Sequence, residues 1–154
     1  IKAYKDAGER RLAPYLAELL YDTVLHAQVA APNRYGGVLS GVDAVVFVPA
    51  TAAAFRRRGF DHMEAIARSF CDLSGVPLLD ALVKYGHGDQ RELGRDERRE
   101  HARGMYETVE DVHGRRLLLI DDVITTGATM AAASAELKRA GAAAVDGLAI
   151  ARVW

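Results

Sequence analysis

The residues best suited to chemistry follow one apolar run in the last third of the chain. Leu117–Ile120 leads directly into two adjacent acids, Asp121 and Asp122, and a turn rich in threonine and glycine follows at residues 125–129. Adjacent carboxylates repel each other unless cations or hydroxyl groups lie opposite them. Backbone N–H groups at the start of a helix bind phosphate readily, and glycine lets the backbone approach it closely. One end of the segment therefore suits a diol and the other a phosphate, and a ribose 5-phosphate presents both.

Capping is the alternative explanation for these polar residues. Asp121 and Asp122 would cap a turn, and Thr126 or Thr129 would cap the next helix. Capping accounts for one such residue, but not for two carboxylates together with three threonines. The sequence contains neither G-x-x-x-x-G-K-[ST] nor G-x-G-x-x-G after a strand, so these competing phosphate motifs are excluded.

Alternating hydrophobic segments predict the elements that position this segment. Strands are predicted at Val42–Val48, Val76–Val83, Met105–Val109, Arg115–Val123 and Val145–Val153. Helices are predicted at Leu12–Val29, Phe60–Leu73 and Thr129–Ala140. Loops are predicted at Pro32–Gly41, Ala50–Gly59 and Tyr85–Arg103, the last with some helix. This alternation is typical of an α/β fold with a doubly wound sheet that is parallel at least at its centre. Ligands of such sheets bind beyond the carboxyl ends of the strands, where Asp121 and Asp122 stand.

Length and composition indicate one ordinary globular domain spanning residues 1–154. Its 20 Lys and Arg nearly balance 21 Asp and Glu, so any anion site must be local. A single cysteine, Cys71, excludes an intramolecular disulfide and suits a reducing, cytoplasmic location. We predict that Cys71 is a buried structural thiol. No segment suits a targeting signal or a membrane span, so we expect no membrane partner.

Leu117–Thr129 resembles the signature of the type I phosphoribosyltransferases. The resemblance extends over essentially the whole chain to the ComF/GntX family of phosphoribosyltransferase-like proteins, many of them associated with competence. The positions that carry it are Tyr4-Lys5, Val48-Pro49, Arg58-Gly59-Phe60, Gln90, Leu93, Arg98 and Ala149–Arg152. The chain departs from the family at Asp61-His62, where Asn-Gln is usual, and at Gly88 and His101. Many members carry an N-terminal zinc-binding cysteine region; these 154 residues include none, which agrees with a chain that starts partway through or with a lineage that lost it.

This resemblance implies a type I phosphoribosyltransferase fold, with a mostly parallel sheet of about five strands and a flexible loop over the active site. Asp121 and Asp122 would serve catalysis by holding the ribose hydroxyls. The 5′-phosphate would be surrounded by Thr125, Thr126, Gly127, Ala128 and Thr129. Phosphoribosyl pyrophosphate would also contact Ala50, Thr51, Arg57 and Arg58 in the pyrophosphate loop, and Gln90 and Arg98 in the flexible loop Tyr85–Arg103. Mg²⁺ would arrive with the pyrophosphate, without a direct protein ligand.

The other basic residues have less specific interpretations. Arg56-Arg57-Arg58 has few acidic neighbours and suits phosphate. The arginines at residues 91–103 alternate with acids, which fits a solvated surface as well as a functional role. A single-stranded nucleic-acid groove would need aromatic platforms, and only Phe55, Phe60 and Tyr85 lie nearby. The histidines show no metal-ligand spacing, and each is interpreted as a surface or core residue: His26, His62, His87, His101 and His113.

Two functional hypotheses follow from these observations. The first is magnesium-dependent transfer of a phosphoribosyl group to a nitrogen acceptor, with release of pyrophosphate. Thr125 stands where 6-oxopurine phosphoribosyltransferases have an aspartate, which disfavours hypoxanthine and guanine as acceptors. The second is a non-catalytic ligand-binding or DNA-uptake accessory protein that retains the ribose-phosphate site, with single-stranded DNA or a competence helicase as partner. The sequence leaves open a homodimer, the acceptor and the pathway.

Overall fold

Helices and strands alternate along the part of the chain that the structure describes. The computed structural model describes residue 4, residues 9–86 and residues 105–153. After a 3-10 turn at Arg10–Leu12, the helices are α1 (Ala13–Ala30), α2 (Pro32–Tyr35), α3 (Ala52–Arg58), α4 (His62–Ser74) and α5 (Ala128–Arg139). The strands are β1 (Ala44–Phe47), β2 (Leu82–Lys84), β3 (Tyr106–Thr108), β4 (Arg116–Ile124) and β5 (Ala144–Arg152).

Strand β4 is the centre of a parallel three-stranded sheet with the order β1-β4-β5. Val46 of β1 pairs with Leu119, which in turn pairs with Gly147 of β5. The apolar run Leu117–Ile120 is fully buried. A continuous apolar run is typical of a parallel strand covered on both faces. This arrangement carries the chain out of the core at Asp121, as the sequence predicts.

Two hydrophobic clusters cover the two faces of this sheet. Leu118 and Ile120 pack with α1 and α4 on one face, where Leu20, Met63 and Phe70 are buried. Leu117 and Leu119 pack on the other face, in a cluster whose other members include Val46, Tyr106, Ala133 and Leu137. Successive residues of a strand point to opposite faces, which explains the division. The predicted doubly wound α/β arrangement is confirmed.

The strands are divided differently from the single mostly parallel sheet of about five strands that the resemblance implies. Strands β2 and β3 form a separate antiparallel pair. The predicted strand Val76–Val83 is regular only from Leu82. Before it, one parallel bridge joins Leu78 to Val45, with the N–H of Val45 donating to the carbonyl of Pro77 at 2.8 Å. Proline has no N–H to donate, which limits regular pairing here.

The predicted loop Ala50–Gly59 is wrong over most of its length, because residues 52–58 form the helix α3. The Thr51 hydroxyl caps this helix by accepting from the N–H of Ala54 at 3.2 Å, and Gly59 ends it at φ 73°. Consecutive alanines favour a helix over a loop. Likewise, Pro32–Tyr35 within the predicted loop Pro32–Gly41 is a short helix. The predicted loop Tyr85–Arg103 lies, from residue 87 onward, outside the described residues.

Cys71 lies half-buried on α4, and burial raises the pKa of its thiol to about 11. A thiol with a raised pKa is a poor nucleophile, which supports its predicted structural role. Among the described helices, none has the length and apolar character needed to cross a lipid bilayer.

Candidate functional site

A cleft of about 400 Å³ lies at the carboxyl ends of β1 and β4. Its lining combines the connection after β1, the N-terminal end of α4, the end of β4 and the start of α5 with one residue of β2. The lining residues are Val48, Pro49, Ala50, Thr51, Ala54, Arg58, His62, Lys84, Asp121, Asp122, Val123, Thr125 and Thr129. Parallel pairing of β1 and β4 brings these segments to one edge of the sheet, where ligands of open α/β sheets bind.

Asp121 and Asp122 are both buried at this edge, with 7% and 5% of their surface exposed. Their positions along β4 direct them to opposite faces, so Asp122 shares the face of α4. Asp121 Oδ1 accepts a hydrogen bond from the N–H of Asp122 at 2.8 Å. Asp122 Oδ2 lies 2.8 Å from His62 Nε2. Hydrogen bonds of this kind offset the cost of burying carboxylates at the cleft.

The turn before α5 presents an open helix N-terminus next to the carboxylates. Gly127 is the N-cap at φ 78° and has no side chain with which to cap the helix. The Thr126 hydroxyl accepts from the N–H of Ala128 at 3.3 Å, so neither Thr126 nor Thr129 is the N-cap. The N-terminal end of a helix carries partial positive charge. Thr126 thus bonds one N–H group at the start of α5, in part as the capping alternative expects, while Thr129 lies inside the helix.

A small hollow adjoins the cleft at this turn, and its lining includes Asp121, Thr125, Gly127, Ala128 and Thr129. The predicted phosphate residues thus lie together, with Thr126 bonded inside the same turn. The φ of 78° at Gly127 lies in the left-handed region, where a side chain would be strained.

The connection after β1 is held in place by Asp61, the N-cap of α4. Its Oδ2 accepts from the N–H of Ala50 at 2.7 Å. Its Oδ1 accepts from the N–H groups of Met63 at 2.8 Å and Glu64 at 3.4 Å. One carboxylate therefore caps the helix and anchors the predicted pyrophosphate loop. In the sequence, Asp61 stands out only as a departure from the family pattern.

His62 is a site residue whose contacts the sequence did not reveal. It is buried, with 7% of its surface exposed, which agrees with the interpretation as a core residue. Its ring lies between two predicted site residues, with Nδ1 at 3.3 Å from Arg58 Nη1 and Nε2 at 2.8 Å from Asp122 Oδ2. The unusual pair Asp61-His62 directly after Arg58-Gly59-Phe60 was the one signal that pointed to it. Lys84 also lines the cleft, and no sequence signal singled it out.

The remaining predicted contacts divide into three groups. Ala50, Thr51 and Arg58 line the cleft. Arg57 is exposed on α3 and does not line the cleft within the described residues. Gln90 and Arg98 lie outside the described residues, so their predicted roles are untested.

The carboxylates supply oxygen ligands of the type that Mg²⁺ accepts. Among the described residues, no three His, Cys, Asp or Glu side chains group to hold a metal ion. Magnesium commonly binds through one or two carboxylates together with substrate phosphates. A metal bound through substrate phosphates and ribose hydroxyls would need no such group of side chains, which is the arrangement that the resemblance implies.

Comparison with known proteins agrees with this geometry. Residues 45–152 match the family model of the phosphoribosyl transferase domain. The chain is 29% identical over 153 residues to the DNA utilization protein YhgH of Escherichia coli (strain K12), covering 95% of this chain and 63% of that protein. It is 28% identical over 132 residues to a ribose-phosphate pyrophosphokinase of Vibrio parahaemolyticus, covering 85% and 41%. The chain thus spans less than two thirds of the length of these relatives.

Two solved structures share the fold. One is the allosteric regulatory enzyme of purine biosynthesis, with a TM-score of 0.56 and 23% identity over 92% of this chain and 26% of that one. The other is the glutamine phosphoribosylpyrophosphate amidotransferase of B. subtilis, with a TM-score of 0.56 and 18% identity over 90% and 26%. These likenesses confirm the fold predicted from the sequence.

Proposed function

The chain belongs to the phosphoribosyl transferase domain family, and from this premise we propose that it binds phosphoribosyl pyrophosphate and transfers its phosphoribosyl group to a nitrogen acceptor, releasing pyrophosphate. The observation that carries the proposal is the meeting, around one cleft, of two buried carboxylates, the N-terminus of α5 and the segment after β1 that ends in Arg58. A diol, a monophosphate and a pyrophosphate need these three kinds of partner.

Each part of the ligand has a matching set of groups. The ribose hydroxyls would donate to Asp121 and Asp122, because carboxylates only accept hydrogen bonds. The 5′-phosphate would bind the N-terminus of α5 at residues 125–129, where N–H groups and threonine hydroxyls lie. The pyrophosphate would lie towards Thr51 and Arg58, and Lys84 also lines the cleft.

In the proposed reaction, the acceptor nitrogen forms a bond to the anomeric carbon as the bond from that carbon to the pyrophosphate oxygen breaks. The bonding electrons leave with pyrophosphate, so negative charge grows there and positive charge grows on the ribose. Arg58 and Lys84 would stabilise the leaving group, while Asp121 and Asp122 would orient the ring rather than attack it. Mg²⁺ bound through the pyrophosphate and the ribose hydroxyls would neutralise further phosphate charge.

Calorimetric titration with phosphoribosyl pyrophosphate and Mg²⁺ tests the proposed binding. We expect micromolar binding to the wild type and at least a hundredfold loss in Asp121→Asn/Asp122→Asn. The matched control is Asp22→Asn/Asp72→Asn, which removes two exposed carboxylates on α1 and α4 and should bind as the wild type does. A folded wild type that shows no binding contradicts the proposal.

Pyrophosphate release with a panel of amine and base acceptors then tests transfer. Thr125 cannot act as a base, so hypoxanthine and guanine should be poor acceptors. Strong turnover of either purine would refute that expectation, and the absence of release with every acceptor would refute transfer.

A second candidate function is binding without turnover, with single-stranded DNA or a competence helicase as partner. Its support is the name of the YhgH relatives and the exposed surface of α3, where Phe55 is 48% exposed beside Arg56 and Arg57. Arginines beside an aromatic ring suit stacked, single-stranded nucleic acid. Fluorescence anisotropy with a labelled oligothymidylate should show salt-sensitive binding that Phe55→Ala weakens. If the oligonucleotide does not bind at low salt, this candidate fails for DNA.

A further inference from the structure

We propose that His62 is a positioning residue that bridges the two halves of the cleft, holding Asp122 on the ribose side and Arg58 on the pyrophosphate side. The inference rests on the proposed function, since it concerns how that ligand is held. If it is correct, the one imidazole ring supports the binding of both the ribose and the pyrophosphate of the ligand.

The hydrogen-bond partners of His62 determine where its proton lies. A guanidinium group only donates, so His62 Nδ1 must accept from Arg58 Nη1 across 3.3 Å. The proton of a neutral imidazole then lies on Nε2, which donates to Asp122 Oδ2 at 2.8 Å. Asp61 Oδ1 lies 3.8 Å from Nδ1, so Arg58 is the nearer partner. The partners of His62 thus call for one acceptor nitrogen, Nδ1, and one donor nitrogen, Nε2.

The backbone of His62 is anchored as firmly as its ring. The Tyr4 hydroxyl donates to the His62 carbonyl at 2.7 Å. Burial, with a further contribution from Asp61, raises the pKa of Tyr4 to about 12, so this hydroxyl remains a donor across the neutral range. Asp61 caps the same end of α4. A buried ring held in this way gives Asp122 and Arg58 fixed orientations before any ligand arrives, which is the condition for preorganised binding.

Two ligand fragments, titrated separately, test the bridge. His62→Leu should weaken both ribose 5-phosphate and inorganic pyrophosphate about tenfold, because each loses one correctly oriented partner. His62→Gln should restore most of both affinities, since its amide oxygen can accept from Arg58 and its amide nitrogen can donate to Asp122. His26→Leu, the same change at an exposed site on α1, is the matched control.

The outcomes separate the bridge from its alternatives. Loss of affinity for one fragment alone, or for neither, overturns it. Equal loss in His62→Gln and His62→Leu also overturns it, because the amide supplies the same donor and acceptor.

The imidazole tautomer provides a measurement that needs no ligand. A two-bond ¹H–¹⁵N correlation spectrum of the free wild type should show His62 as the Nε2–H tautomer, with its signals identified by their loss in His62→Gln. An Nδ1–H ring or a doubly protonated ring at neutral pH overturns the inference. If the free protein shows the expected tautomer but binds neither fragment, the proposed function is wrong. In that case the bridge between the two parts of the ligand is wrong as well.

Discussion

Replacing Asp61 should separate two tasks that one carboxylate performs. Its Oδ1 caps α4, and its Oδ2 holds the N–H of Ala50 at 2.7 Å in the predicted pyrophosphate loop. Asp61→Ala removes both interactions. Asp61→Asn keeps one accepting oxygen and replaces the other with a donor. Whichever way the amide faces, either the cap or the bond to Ala50 is lost.

The expected magnitudes follow from these contacts. Loss of an N-cap costs about 1 kcal/mol, and loss of a hydrogen bond to a charged group about 1.5 kcal/mol. Asp61→Ala should therefore lower the free energy of unfolding by about 2.5 kcal/mol, and Asp61→Asn by about 1 to 1.5 kcal/mol. For a domain of this size, each kcal/mol lowers the Tm by about 2–4 °C.

Urea unfolding followed by circular dichroism measures both variants against the wild type, with Asp72→Ala on the exposed side of α4 as control. Titration with pyrophosphate adds a functional measurement, since an unanchored Ala50 loop should bind pyrophosphate more weakly. Equal destabilisation by Asp61→Asn and Asp61→Ala, or an Asp61→Asn variant as stable as the wild type, would refute the reasoning.

Three further predictions concern packing, pH and the phosphate turn. Glu136 is buried and accepts from the N–H of Thr108 and from Arg139, so Glu136→Leu, which leaves the Thr108 N–H without its acceptor, should lower the free energy of urea unfolding by about 1 to 3 kcal/mol. An unchanged free energy of unfolding would contradict this. Burial raises the pKa of the Cys71 thiol to about 11. The stability that the buried, protonated thiol contributes is therefore present below pH 9 and is lost as the pH rises towards 11. Iodoacetamide at pH 8 should therefore alkylate native Cys71 much more slowly than unfolded protein, and equal rates would refute the burial argument. The Cβ added by Gly127→Ala would meet no atom within 4 Å, but φ 78° is a strained backbone angle for alanine. Gly127→Ala should therefore lower the free energy of urea unfolding by about 1 kcal/mol and weaken the binding of ribose 5-phosphate. An unchanged free energy and affinity would exclude strain at this position.

The sequence alone predicted the elements whose pattern is local. Strand β4 and helix α5 begin and end within one residue of the predicted Arg115–Val123 and Thr129–Ala140. The apolar run, the two acids and the turn with threonine and glycine are consecutive in the sequence. Asp121, Asp122 and the turn could therefore be predicted without any tertiary information. The α/β class followed from the same alternation.

Only the tertiary structure decided which distant residues share the cleft. His62 and Asp122 are 60 residues apart in the sequence. Ala50 and Asp61 are 11 residues apart, and between them lies the helix α3, where the sequence predicts a loop. The parallel pairing of β1 with β4 places them together, and that register depends on the packing of both sheet faces rather than on any one segment. The separation of β2 and β3 into their own antiparallel pair has a similar origin, because strand propensity specifies an extended chain but not its partner. Local chemistry therefore identified the site, and long-range packing determined which side chains complete it.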